Sequence, residues 1–195
     1  MSNQQIFDAT WELIKTEGMK GVTTRKIASR AATNSALVNY YFGSKEQLLN
    51  EVVKHYLESF REAFKLLDDT TLPPIARLRR FLLSYAALLL EHPELALRLL
   101  SQEDLFASHV EYVEFLKRQG VEKLLDTIRE IVGPQPQEKI LLMHRQMAGA
   151  IFFPLVIRGS FNPVIRAALE DADPPLEEQI DLFLARYFAP VQTEP

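Results

Sequence analysis

The sequence predicts an all-α fold, and two observations support this prediction. Hydrophobic residues recur at helical spacing along the chain, whereas no segment shows the sustained alternation with turn signals that is typical of strands. The 195 residues are 47% hydrophobic and 25% charged, which is enough to bury a core in one large domain, or in one large and one small domain.

Several classes of protein are not expected from this composition. The chain has no cysteine, which excludes a disulfide framework, a thiolate zinc site and a thiol nucleophile. The longest nearly unbroken apolar run, residues 147–157, contains Pro154 and has about half of the ~20 residues that a membrane span needs. The N-terminal residues lack the basic stretch and apolar run of a secretory signal, and we expect a soluble, cytoplasmic protein.

The first predicted helix covers residues 4–16. Its hydrophobic residues form two neighbouring stripes, and Trp11, the only tryptophan, is expected to anchor the core. Gly18 and Gly21 then break the helix.

Two short helices follow. Thr23 or Thr24 can cap the first of them, which runs to about Ala31. After a tight connection, Asn34 can cap the second, over residues 35–41.

A long helix is predicted after Ser44. Ser44 and Gln47 have the spacing of a capping box, in which each side chain bonds to the other residue's backbone N–H. We expect the helix to continue to about Leu67, because the first 72 residues contain no proline and eleven prolines follow.

The rest of the chain is also predicted to be helical. Residues 137–158 are too apolar on every side for a helix with a wetted face, so we expect burial in the core or against a partner. Pro154 should kink this helix or end its regular hydrogen bonding. The helices are predicted near residues 75–91, 93–102, 108–132, 137–158, 161–170 and 176–188.

Two short helices with a tight turn, followed by a capped long helix, form a helix-turn-helix pattern. In that arrangement the first short helix supplies phosphate contacts, and the outward face of the second reaches base edges in the major groove. Small residues at Ala28, Ala31 and Ala36 are expected to face inward. Residues 1–50 carry six Lys/Arg against four acids, whereas the rest carry 16 against 22, so the N-terminal charge permits DNA contact.

Two runs of residues make the pattern more specific. They are TTRKIA at residues 23–28 and NSALVNYYFGSKEQLL at residues 34–49. With its Tyr-Tyr-Phe ending, its Gly-Ser-Lys-Glu cap and the spacing from Thr24, the segment over residues 6–52 resembles the DNA-binding domain of the TetR family of transcriptional regulators. One departure is Ala32, where the family often has glycine.

The resemblance implies a role for each matching position. Some side chains would hold DNA phosphates, and others would face the major groove, where Arg25 could make a bidentate contact with guanine. The alternative for each is an ordinary solvated or packing residue, and for Leu37 and Asn39 the two interpretations are equally supported. The phosphate contacts would be Thr24, Tyr41 and Lys45, and the groove residues Arg25, Ser35, Leu37, Asn39 and, partly through packing, Tyr40.

The resemblance also implies the domain organisation. A DNA-binding domain over residues 1–50 would be joined by the long helix to a larger ligand-binding and dimerisation domain over residues 51–195. The last two long helices would form the interface of a homodimer. This dimer would bind a palindromic operator, most commonly as a repressor, with recognition helices about 34–36 Å apart or more.

The second domain is expected to enclose a largely apolar cavity for a small, mostly apolar effector. His92, Tyr112 and His144 are the candidate ligand contacts. The alternatives are a helix junction for His92 and a hydrogen-bonded core position for His144. The arginine cluster at residues 77–80 predicts a salt-bridged or solvated face, with an anion site as the alternative.

The expected mechanism is ligand-induced release, in which the long helix pivots and the recognition helices leave register with the operator. An enzyme is not expected, because the sequence has no Gly-rich phosphate loop and its four histidines are dispersed. No cofactor and no metal site is predicted. The main rival is a helical ligand-binding or interaction protein without DNA binding, and the presence of Thr24, Arg25, Tyr41 and Lys45 counts against it.

Overall fold

The computed structural model describes residues 3–91, 93, 95–96, 109–157 and 174–189, and all regular structure within them is helical. The predicted all-α fold is therefore confirmed for this part of the chain. A 3-10 turn (Phe64–Asp68) follows α4, and a π-helical turn (Leu116–Gly120) joins α6 to α7. The α-helices are α1 (Asn3–Gly21), α2 (Thr24–Arg30), α3 (Ser35–Phe42), α4 (Lys45–Ala63), α5 (Pro74–Glu91), α6 (Val110–Phe115), α7 (Val121–Val132), α8 (Gln137–Ile157) and α9 (Leu176–Tyr187).

The chain divides into two compact units, the first ending at Ser59 and the second beginning at Phe60. Helix α4 contributes residues to both units, because it continues from Lys45 to Ala63 without a break. The domain boundary expected at residue 50 concerns where DNA binding ends, and it stays a prediction.

In the first unit, residues from α1 to α4 bury a common hydrophobic core. Trp11 packs against this core as expected, with its ring centroid 5.9 Å from that of Tyr56. Gly18 breaks the helical geometry of α1, as predicted, with φ 68° and ψ 165°, although a last helical turn continues to Gly21. The buried core includes Ile6, Leu13, Ile27, Val38, Leu48 and Val52.

In the second unit, α5 packs against α7, α8 and α9. Each of these helices buries one apolar stripe, as amphipathic helices do around a shared core. The fully or nearly fully buried side chains include Leu78, Phe81, Leu82, Leu124, Ile128, Ile140, Met147 and Ile180.

The arginine cluster of α5 forms salt bridges. Arg77 is only 5% exposed, donates to the carbonyl oxygen of Leu67 at 2.9 Å and pairs with the Glu130 carboxylate. Arg79 and Arg80 also pair with carboxylates of this unit. The salt-bridged interpretation is confirmed, although Arg77 lies inside the unit and not on a wetted face.

Helix α8 covers almost the whole of its predicted range, residues 137–158, and two points of its prediction can be narrowed. It continues three residues past Pro154, so the proline does not end it. It is also not buried on every side in the single chain, because Leu142 and Phe153 are 52% and 62% exposed. Of the two expected environments, only burial against a partner can still apply to these two side chains.

Some expectations fall outside the described residues. These are the helix at residues 161–170, most of the helix at residues 93–102, and the candidate ligand contact His92. Within the described part of the chain, no helix combines the length and the hydropathy needed to cross a bilayer.

Candidate nucleic-acid interface

The entry to α2 is capped as the sequence predicts. Thr23 is the N-cap, and its side-chain oxygen accepts a hydrogen bond from the backbone N–H of Lys26 at 3.3 Å. Thr24 is therefore the first helical residue, and its own hydroxyl is not needed for the cap. The Lys26 ammonium bonds to the carboxylate of Glu17 and to the carbonyl of Gly21 at 3.1 Å, so it holds α1 against α2.

The exit from α2 is a Schellman motif built around Ala32. The N–H of Thr33 bonds to the carbonyl of Ala28 at 2.8 Å, and that of Ala32 bonds to Ser29 at 3.2 Å. This pattern requires a left-handed residue at the first position after the helix cap. Ala32 supplies it with φ 50°, the one positive φ at a non-glycine position among the described residues. The turn of the helix-turn-helix therefore forms without the glycine that the family often has.

Helix α3 has defined ends as well. Asn34 is its N-cap and accepts from the N–H of Leu37 at 2.9 Å. Gly43 ends it with φ 74°, in the left-handed region that favours glycine, and donates its N–H to Asn39 at 2.8 Å. Helix α3, the expected recognition helix, is therefore eight residues long, from Ser35 to Phe42.

The capping box at the start of α4 is formed only in half. The N–H of Gln47 bonds to the Ser44 hydroxyl at 3.1 Å, as expected. The N–H of Ser44, however, donates to the carbonyl of Phe42 at 2.8 Å. The backbone N–H of Ser44 was expected to donate to the Gln47 side chain, but it donates within the tight turn after α3 instead.

The caps of α2 and α4 place three of the predicted DNA-binding residues together. Thr24, Asn39 and Lys45 line one shallow depression of about 450 Å³. The N-terminus of α4 lies at this depression, and a helix N-terminus favours anions through its free N–H groups and its dipole. The other lining residues are Thr23, Gly43, Ser44 and Glu46.

Lys45 is the cation of this depression. Its side chain is about one third exposed, and its ammonium lies 3.5 Å from the Glu46 carboxylate. The pKa of Glu46 is lowered, first by a hydrogen bond from its own backbone N–H and further by the charge of Lys45. Glu46 is itself exposed, so the side of Lys45 that it occupies is open to solvent.

The expected groove residues present an exposed surface on α3. Ser35 and Asn39 are exposed, Leu37 is half-buried, and the Tyr40 side chain is 80% exposed. The Tyr40 ring meets that of Tyr41 edge to face at 5.4 Å, which holds both rings at the end of the helix.

Arg25 and Lys26 are neighbours in sequence, but their side chains have different interactions. Its side chain is exposed and has no hydrogen bond or ion pair with the described residues, whereas Lys26 is held by Glu17. Arg25 is therefore available for an interaction outside the chain without giving up one with the described residues.

One of the three alanines that were expected to face inward is exposed on the face of α3 that carries the candidate groove residues. Ala28 is buried and Ala31 is half-buried, as expected, but Ala36 is exposed, so its inward placement was wrong. The buried position of α3 is Val38, and residues two apart on a helix point in nearly opposite directions. Ala36 instead shares a face with Asn39 and Tyr40. Asn39 and Tyr40 follow Ala36 by three and four residues, so helical spacing alone could have placed Ala36 on their face.

The candidate ligand contacts that the structure describes, Tyr112 and His144, lie in the second unit. Tyr112 is buried, and its side chain shares a hydrogen bond with that of Tyr85, a residue that the sequence analysis missed. Burial raises the pKa of Tyr85. The Tyr85 ring lies within 4.7–5.8 Å, between centroids, of the rings of Phe60, Phe64, Phe81 and Phe152.

His144 does not occupy the hydrogen-bonded core position that was its alternative. It is half-buried and has no hydrogen bond within the described residues. Its pKa is lowered by burial and by the neighbouring charge of Arg145.

Comparison with known proteins agrees with this geometry. Residues 6–52 match the family described as bacterial regulatory proteins, tetR family. The HTH-type transcriptional regulator BetI of Paraburkholderia phytofirmans is 36% identical over 59 residues, which are 30% of each chain. The match thus spans about a third of that relative's length.

The fold is shared over a much longer stretch. A TetR-like transcriptional regulator from Rhodococcus sp. RHA1 superposes with a TM-score of 0.65 at 18% identity, over 93% of this chain and 91% of the other. FadR of Thermus thermophilus, described as a TetR family transcriptional repressor in complex with lauroyl-CoA, gives 0.54 at 20% identity over 96% and 93%. The N-terminal segment of the chain thus matches the tetR family of bacterial regulatory proteins, and the chain as a whole shares the fold of solved TetR-like regulators.

Proposed function

We propose that this protein is a ligand-responsive transcription regulator that binds a palindromic operator as a homodimer. The observation that carries the proposal is the exposed face of α3, with Ser35, Asn39 and Tyr40, beside the depression that contains Thr24 and Lys45. A helix in the major groove needs both an outward polar face and phosphate contacts at its flanks.

In this proposal the depression is the phosphate site. The ammonium of Lys45, the N–H groups at the start of α4 and the Thr24 hydroxyl would bind one phosphate from three sides. Tyr41, whose side chain is 41% exposed, would hold a second phosphate through its hydroxyl. These contacts set the register of α3 on the duplex without reading its sequence.

Sequence would be read by side chains of α3 and by Arg25. The Arg25 guanidinium, which has no partner among the described residues, would bind the O6 and N7 atoms of guanine. Ser35 and Asn39 offer short polar groups, while Ala36 and Leu37 could contact a thymine methyl group. Tyr40 would reach the groove edge from the end of the helix.

The effector would bind in the second unit, close to the ring cluster around Tyr85. Rings of four phenylalanines surround Tyr85, and the hydrogen bond to Tyr112 fixes the orientation of its hydroxyl. Such a setting suits an apolar or aromatic molecule with one polar group. FadR, which shares the fold, is described in complex with lauroyl-CoA, and this supports an acyl or similarly apolar effector.

We further propose that the protein is a repressor and that the effector releases it. Phe64 follows directly on the last residue of α4, and its ring lies 5.8 Å from that of Tyr85. A ligand that displaces the Tyr85 ring would therefore displace the end of α4, whose other end carries Lys45. A shift of a few Å would be enough, because both half-sites must be engaged together.

The test is selection of genomic fragments by the purified protein, followed by titration of the selected site at several salt concentrations. We expect a palindromic site and a steep fall in affinity with salt. No enrichment over random DNA, from protein with a helical circular dichroism spectrum and a cooperative melt, would overturn the DNA-binding proposal and favour a ligand-binding protein.

A further inference from the structure

Helix α9 carries a charge pattern that is complementary to itself. Glu178, Leu182 and Arg186 lie one helical turn apart, and all three line an apolar groove of about 510 Å³ between α8 and α9. Leu182 is 58% exposed, and neither charged group has an ion pair or hydrogen bond within the described residues. An exposed leucine thus lies midway between an acid and a base.

Other charged residues of α9 differ from this pair. Glu177 and Asp181 both bind Arg79 of α5, so their charges are compensated within the chain. Glu178 and Arg186 are separated by about 12 Å along the helix axis, at 1.5 Å per residue, which is too far for a contact with each other.

The contact between two copies of one chain must be self-complementary, because a two-fold axis brings the same surface of each copy together. If the axis is perpendicular to α9 and passes by Leu182, the two copies of α9 run antiparallel. Glu178 then faces Arg186 of the partner subunit, and Arg186 faces Glu178 of the partner subunit. An axis parallel to the helix would bring like charges together, which is unfavourable.

We propose that α9 pairs antiparallel with α9 of a second copy, centred on Leu182, with two Glu178–Arg186 ion pairs that set the register. The proposal rests on the homodimer of the proposed function and specifies its geometry. The exposed apolar side chains of neighbouring α8, including Phe153, would be covered by the same partner and supply the apolar part of the interface.

The experiment uses charge reversal and measures the dimer dissociation constant by sedimentation at low salt. Glu178→Arg and Arg186→Glu should each weaken the homodimer at least about tenfold, because each places two pairs of like charges in contact. The double variant should recover most of the affinity. An equimolar mixture of the two single variants should form heterodimers, because both ion pairs are then restored.

Glu111→Arg is the matched control. Glu111 is exposed on α6, away from the α8–α9 groove, and its reversal should leave dimerisation unchanged. Single variants that dimerise like the parent would overturn the proposed register and leave the dimer intact. A parent protein that is monomeric at all concentrations would overturn both. Selection of a DNA site by the parent protein tests the regulator function separately.

Discussion

At the residue scale, Ala32 occupies a backbone conformation that suits glycine better. Its φ of 50° lies in the left-handed region, where a Cβ atom costs roughly 1–2 kcal/mol. The turn needs that conformation, because the two hydrogen bonds that end α2 depend on it. The side chain of Ala32 is exposed, so it contributes little packing in return.

Ala32→Gly should therefore stabilise the protein. The relief of strain exceeds the roughly 0.4–1 kcal/mol of chain entropy that glycine adds to the unfolded state, which leaves a gain of about 0.5–1 kcal/mol. Urea denaturation should show a higher midpoint with an unchanged slope. Ala31→Gly, at φ −81°, is the control and should destabilise by a similar amount. A lower midpoint for Ala32→Gly would contradict the strained turn.

Lys45 should contribute to DNA affinity by the same amount whatever the base sequence of the DNA. Lys45→Ala should weaken binding to specific and random DNA alike, because phosphates carry no sequence information. Because each subunit of the variant would bind one phosphate fewer, the log–log salt slope should become shallower by ~2. Lys54→Ala is the matched control, since Lys54 is an exposed lysine nine residues further along the same helix. Equal slopes for the two variants would exclude the phosphate role of Lys45.

At the scale of elements, the two short helices are held by their ends and by their packing. Helices α2 and α3 have seven and eight residues, whereas isolated helices below about 12–15 residues are marginal in water. Side-chain caps at Thr23 and Asn34 and left-handed exits at Ala32 and Gly43 compensate. The recognition surface therefore needs no long helix, only defined ends.

Arg79 joins two helices of the second unit. Its guanidinium bonds to both carboxylate oxygens of Asp181, at 2.5 and 2.9 Å, and to Glu177 at 2.5 Å. This interaction links α5 to α9, the helix proposed to form the dimer interface. The hydrogen bonds from Arg79 lower the pKa of Asp181 below its ordinary value of 3.8.

Arg79→Met should therefore lower the melting temperature in a pH-dependent way. A carboxyl group with a lowered pKa in the folded state stabilises the fold above its unfolded pKa, and this contribution is lost as the pH falls through the folded pKa. The difference from the parent should be complete near pH 6 and shrink below about pH 4. Arg118→Met, which removes an exposed arginine at 3.9 Å from Glu114, should change the melt little at any pH. A pH-independent difference would mean that Arg79 acts through packing alone.

At the scale of the whole molecule, one helix of eight residues would contact few base pairs, and the proposed symmetric dimer would double the contact. The two half-sites then have to lie on the same face of the duplex. Affinity should depend on their spacing as strongly as on their sequence.

Insertion of five base pairs between the half-sites should reduce affinity to that of a single half-site. Five base pairs rotate one half-site by about half a turn, since B-DNA has 10–10.5 base pairs per turn. Replacement of the central base pairs at constant length is the control and should have a much smaller effect. Electrophoretic mobility shift with the three duplexes checks this, and equal binding to all of them would contradict simultaneous engagement.

Much of the first unit could be predicted from the sequence because its signals are local. Caps at Thr23, Asn34 and Ser44 and the break at Gly18 act within a few residues of where they stand. The candidate DNA-binding residues were expected from the resemblance of this segment to the TetR family. Those on α3 are mostly exposed, as expected, whereas all individual contacts to DNA stay predictions.

By itself, the sequence determined that the described part of the chain is helical, roughly where most of its helices lie, and which short helix presents an exposed face. Only the tertiary structure decided that Arg77 is buried, that Tyr85 pairs with Tyr112, and that Glu178 and Arg186 have no partner among the described residues. The physical reason is the distance along the sequence between the groups that interact. Caps and periodicity depend on neighbours in sequence, whereas burial and pairing depend on groups that only folding brings together.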